Sequence, residues 1–116
     1  LEIEGWQHEQ QIEPPVTNTW FTRLFEDPAF TEQVSARWQE LRRGPLSDAA
    51  LDARAADLAE PLTAAADRNF TRWPNLRQSR MLGWVVTPSA PTWQGQIDAM
   101  LDWTHERAAW LDTQWG

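Results

Sequence analysis

The chain has 116 residues, a length for one domain with a modest core, and its net charge of −7 argues against nucleic acid or an anionic membrane as partner. All ten basic residues are Arg, which removes the P-loop lysine, the ATP-pairing lysine of protein kinases and Schiff-base chemistry. Cysteine is absent, so disulfides, thiolate metal sites and thiol nucleophiles are excluded, while nine Trp and four Phe supply aromatic area for packing.

Residues 1 to 7 alternate, with Leu1 and Ile3 on one side and Glu2 and Glu4 on the other, a strand period without a pairing partner nearby. The polar stretch that follows holds Pro14-Pro15, and residues 1–17 together are expected to form an extended N-terminal connector. The chain begins at Leu1 rather than Met, which gives the expectation of a fragment or a processed product. No signal peptide is recognisable. No apolar run approaches the roughly 18 residues of a membrane span, so no membrane insertion is expected.

A helical domain is predicted over residues 18–116. Asn18 caps a short helix over 19–26 that carries Trp20, Phe21, Leu24 and Phe25. Asp27-Pro28 starts a second helix over 28–43, with Asp as N-cap and Pro at the first helical position. Phe30, Val34, Trp38 and Leu41 share one face of it, bordered by Arg37. Gly44 is expected to close that helix in the left-handed conformation, Pro45 to stop it and Ser47 to cap the next, fixing an antiparallel hairpin.

The third helix is predicted over 48–73, with Leu51, Ala55, Leu58, Leu62, Ala65, Ala66 and Trp73 in one stripe. Pro61 is expected to bend it near Asp57, and Asn69 to be partly buried and hydrogen-bonded within the stripe. Pro74 ends it, and residues 74–92 form a long loop, extended in its Leu82–Thr87 part. Thr92 caps a fourth helix over 93–115. At about 100° per residue, Trp93, Ile97, Met100, Leu101, Ala108, Leu111 and Trp115 share an arc, Trp103 and Trp110 a neighbouring stripe, and Arg107 lies between the two. Arg107 is expected to pack its stem on indole rings and pair its guanidinium with a carboxylate. The fold class is therefore mainly α: a short helix plus a three-helix antiparallel arrangement around a Trp-rich core, with a short extended N-terminal segment. Arg37 and Arg107 are its expected buried organisers.

Asp98, Asp102 and His105 fall along one helical face with metal-ligand chemistry, but opposite the apolar arc, where a solvated charged face is the favoured reading. His8 has no recognisable partner, none of Ser35, Ser47, Ser79 or Ser89 sits in a nucleophile elbow, and the five Gly are scattered rather than gathered in a phosphate loop. The Arg37-Trp38 and Arg72-Trp73 pairs point to cation–π contacts that lock helices in register. The rival readings are a sugar-binding platform of exposed indoles and an anion site of Arg68, Arg72, Arg77 and Arg80.

Four segments in order carry a resemblance: Leu24-Phe25-Glu26-Asp27-Pro28-Ala29-Phe30; Arg37 to Ser47, RWQELRRGPLS; Arg68-Asn69-Phe70-Thr71-Arg72-Trp73-Pro74; and Glu106-Arg107-Ala108-Ala109-Trp110-Leu111-Asp112. Over about residues 5 to 115 the chain resembles the C-terminal helical part of the CotH family, the spore-coat-protein-H-like atypical protein kinases. The resemblance implies a parent kinase that uses ATP with Mg or Mn and is often exported or placed on a spore or cell surface. Its nucleotide and metal ligands lie upstream, so no catalytic, cofactor-binding or metal residue carries over, and no activity is expected from this chain alone. Arg37, Trp38, Arg68, Asn69, Trp73, Arg107, Trp110 and Asp112 match the family pattern as structural positions. The implied partner is the upstream kinase core of the same parent. The alternatives are an autonomous helical binding module for carbohydrate or a partner protein, with Trp84, Trp93 and the Arg77 to Trp84 loop as its surface, and a metal-dependent enzyme using Asp98, Asp102 and His105.

Overall fold

A computed structural model describes residues 3–6, 19–76, 80–81, 84–85 and 90–116. The protein is mainly α, in the order α1 (Thr19–Phe25), α2 (Pro28–Arg42), α3 (Asp48–Ala59), a 3₁₀ turn (Glu60–Leu62), α4 (Thr63–Arg72), β1 (Arg80–Met81), β2 (Trp84–Val85) and α5 (Trp93–Trp115). The two short strands pair antiparallel, Arg80 opposite Val85 and Met81 opposite Trp84. No helix among the described residues is long and apolar enough to cross a membrane.

The helix starts follow local chemistry. Asp27 accepts from the Ala29 amide at 2.9 Å with Pro28 at the first position of α2. Ser47 accepts from Ala50 at 3.3 Å, and Thr92 from Gly95 at 3.0 Å. Each cap satisfies an amide that the helix itself cannot reach.

The end of α2 departs from expectation. Among the described glycines only Gly5 has positive φ, at 94°, so Gly44 does not use the left-handed region. Its amide instead donates to the Leu41 carbonyl at 3.0 Å, Leu46 donates to the same carbonyl at 2.9 Å, and Ser47 donates to Gly44 at 3.0 Å. Tight turns that use up the terminal carbonyls close a helix without a positive φ.

The single helix expected over 48–73 is broken in two. Proline has no amide to donate and its ring crowds the carbonyl four residues back. Around Pro61 the chain tightens into the 3₁₀ turn, with Thr63 donating to the Glu60 carbonyl, before α4 resumes. The interruption therefore lies at Glu60–Leu62, one turn beyond the expected bend at Asp57. The break changes what α4 presents: Asn69 is exposed rather than part of a buried stripe, and Trp73 is 59% exposed in extended backbone at the C-cap. At the N-terminus, residues 3–5 form a bend around Gly5 rather than a strand. The remainder of the expected connector, His8 included, and most of the 74–92 loop lie outside the described residues.

Helix α5 is the spine. Helices α2, α3 and α4 each pack against it, and α1 packs on α2. The principal extents are 52 × 39 × 18 Å, so the arrangement is flat. A flat arrangement encloses little: among the described residues the buried apolar side chains are Ala66, Ile97 and Ala108, while Trp20, Phe21, Leu58, Leu62, Trp73 and Met100 are exposed. Trp6, Trp38, Trp93, Trp103, Trp110 and Trp115 are half-buried rather than sealed in a core.

Candidate functional site

The densest polar cluster joins the end of α2 to the end of α5. Trp38 and Arg42 are four residues apart on α2 and so share a face. Both reach Asp112 on α5. The Trp38 indole Nε1 donates to Asp112 Oδ1 at 2.8 Å; Arg42 Nε lies 3.1 Å from both carboxylate oxygens and Nη2 donates to Oδ2 at 3.0 Å. Arg42 Nη1 donates to the Leu46 carbonyl at 2.6 Å and to Asp48 Oδ1 at 2.8 Å. One guanidinium thus binds α2, the hairpin turn, the first residue of α3 and the last turns of α5. Hydrogen bonds from Asp112 first, then Asp48, raise the Arg42 pKa further above its usual high value, and the bond from Arg42 lowers that of Asp48.

Arg37, the expected organiser on α2, is exposed and pairs within its own helix with Glu40 at 2.6 Å. It lies one position from Trp38, which turns it about 100° away from the α5 contact. Arg42 takes the role instead. Its spacing of four from Trp38 is the signal in the sequence that points to it.

A second cluster lies further back along α5. The Arg107 guanidinium donates to the carbonyls of Ile3 and Gly5 and sits 4.3 Å from the Trp110 ring centroid and 5.8 Å from that of Trp6. Trp6 in turn packs 4.8 Å from both Trp110 and Trp115, and Trp38 meets Trp115 edge-on at 5.8 Å. The stem of Arg107 is half-buried on indoles as expected, but its polar partners are backbone carbonyls rather than a carboxylate. The bend at Gly5 aims two carbonyls at one planar fork, geometry that an arginine satisfies and a point charge does not.

The remaining sequence-predicted positions do not join these clusters. Arg68 is exposed on α4 and shares a shallow cavity of about 510 Å³ with Asp67, Thr71 and Arg72. Arg72 lies 5.9 Å from the Trp73 ring centroid. Arg77 is outside the described residues, as is the side chain of Arg80. On the acidic face of α5, His105 Nε2 sits 2.9 Å from Asp52 Oδ1 of α3, and Asp98 accepts from Gln94 at 2.8 Å. Among the described residues, no group of three His, Cys, Asp or Glu side chains gathers as a metal site. Of the indoles offered as a sugar platform, Trp93 is half-buried and stacks on Phe70 at 6.2 Å; the Trp84 side chain is outside the described residues.

The Arg42 cluster holds helices together and the Arg107 cluster holds residues 3–6 on α5; neither contains a nucleophile, a base aimed at a cavity or a phosphate cradle. An apolar cavity of about 460 Å³ lies apart from them, between α3 with its 3₁₀ turn and the first half of α5. A family model described as CotH kinase protein matches residues 1–111. No curated protein and no solved structure matches the chain.

Proposed function

The chain belongs to the CotH kinase protein family, and from that premise we propose that it is the helical C-terminal segment of a CotH-like kinase, a structural part that packs on the catalytic core of the same polypeptide. The observation that carries this reading is the sparse core of a flat arrangement: three small or medium apolar side chains are buried and six large ones exposed among the described residues. A surface of that kind is stabilised by a partner that covers it.

ATP and Mg²⁺ or Mn²⁺, the groups the family implies, do not fit the residues present. The chain has no Lys, its five Gly are scattered, and no metal-ligating trio gathers among the described residues. No step of phosphoryl transfer is assigned to these residues; in this reading the nucleotide and metal belong to the preceding core. The same resemblance supports an exported or surface-placed parent.

The test expresses the upstream kinase region and this chain separately and together. The expected result is that the two co-purify, and that phosphoryl transfer from ATP is found with the upstream region and not with this chain. Transfer by the isolated chain, or failure of the two to associate, overturns the reading.

A further inference from the structure

Gln96, Met100, Trp103, Arg107, Trp110 and Gln114 follow one another on α5 at spacings of four, three, four, three and four. That alternation places them in one stripe, a seam of mixed polar and apolar side chains along α5. The seam is half occupied. Residues 3–6 lie across its C-terminal half, clamped by Arg107 and packed on Trp110. Its N-terminal half opens into the apolar groove of about 460 Å³, walled by Leu58 and Leu62 on one side and Trp93, Ile97, Met100 and Trp103 on the other. Leu58, Leu62 and Met100 are each half exposed. The indole Nε1 atoms of Trp93 and Trp103 are sealed from solvent and have no acceptor among the described residues.

Resting on the function proposed above, we infer that this groove is the seat of an amphipathic helix from the kinase core of the same polypeptide. Three half-exposed side chains offer apolar surface on the order of 300 Å², well short of the roughly 800 Å² per partner that a stable free-standing complex needs. That shortfall argues against a second copy and for a tethered occupant, for which the covalent connection supplies a high effective concentration. The path of the chain agrees. Trp6 packs near Trp110 and Trp115, and Ile3 and Gly5 are held at Arg107. Followed backwards, the described backbone passes from Trp110 and Trp115 at Trp6 to Arg107 at Ile3. The occupant is a helix because the receiving surface is a gap between two helices. It carries an apolar stripe that covers Leu58, Leu62 and Met100.

The test uses thiol accessibility. The chain has no cysteine, so Leu58→Cys and Met100→Cys, with Arg23→Cys on the exposed face of α1 as control, each place one thiol in the segment. Maleimide modification of each is followed by peptide mass in the full-length kinase and in the isolated chain, with circular dichroism confirming that each variant keeps its helix content. The expected result is that positions 58 and 100 react about tenfold more slowly, or slower still, in the full-length protein, while position 23 is unchanged. Equal rates at all three positions in a full-length kinase whose halves associate overturn the groove assignment and leave the function reading standing. Protection that appears in the isolated chain and grows with its concentration assigns the groove to a second copy and also overturns it. Failure of the two halves to associate is the separate outcome that removes the function reading.

Discussion

Arg42 and Asp112, seventy residues apart, meet as a fork, with Nε and Nη2 of the guanidinium on the two carboxylate oxygens at 3.0–3.1 Å, and the Trp38 indole shares one of those oxygens at 2.8 Å. This contact ties α2 to α5. The Arg42 side chain is 18% exposed and Asp112 41%, so the pair is screened partly rather than fully, and a planar bidentate geometry keeps its orientation where a surface pair would not.

Asp112→Ala removes the acceptor for both Trp38 and Arg42 and is expected to cost about 2 kcal/mol, the range of hydrogen bonds to charged groups discounted for partial exposure. Arg37→Ala, which breaks only the exposed pair with Glu40, is expected to change stability by less than about 0.5 kcal/mol. Urea denaturation of both variants followed by tryptophan fluorescence checks the ranking. Equal losses would show that the Asp112 joint contributes no more than the exposed Arg37–Glu40 pair.

Arg107→Lys keeps the charge but loses the fork that spans the Ile3 and Gly5 carbonyls. The expected loss is about 1–2 kcal/mol from hydrogen bonding and indole contact together. It falls on the N-terminal segment rather than on the helices. Amide exchange at residues 3–6 should rise in the variant while exchange in α2 and α3 holds, and uniform exchange changes would contradict this placement of the loss.

Gly44→Ala is expected to be tolerated, although a helix-closing glycine usually is not replaceable. Gly44 has no positive φ, and an added Cβ meets only the Glu40 and Leu41 carbonyl oxygens at 3.8 and 3.9 Å, ordinary contact distances. Restricting the unfolded chain then stabilises by about 0.4–1 kcal/mol. A thermal melt decides it: a lower melting temperature would mean that the turn needs the glycine.

Asp48 provides the acid dependence. Its pKa is lowered in the folded state, chiefly by the hydrogen bond from Arg42. A depressed carboxylate contributes stability that is present above its unfolded pKa of about 3.9 and fades as the pH falls through the folded value. Asp48→Asn should therefore flatten part of the stability decline below about pH 4 and reduce stability slightly at neutral pH. Because Asp48 is largely exposed, added salt should shrink the difference; an identical acid profile in the variant would refute the linkage.

Local chemistry was legible in the chain itself. Asp27-Pro28, Ser47 and Thr92 state where helices begin, Pro61 marks a disturbance of the long central helix, read as a bend where the structure has a break, and the absence of Lys and Cys closes off whole classes of chemistry. These features act within one turn of backbone or on a single side chain, so no knowledge of neighbours is needed to read them. The tertiary arrangement alone chose Arg42 over Arg37, set the Arg107 fork on backbone carbonyls instead of a carboxylate, and left Asn69 and Trp73 outside. Each of those outcomes depends on the rotation of one helix against another, where a step of about 100° per residue carries a side chain from seam to solvent. Periodicity marks which side of a helix is apolar; only docking on α5 decides how much of that side is covered, and here a flat arrangement leaves part of it open.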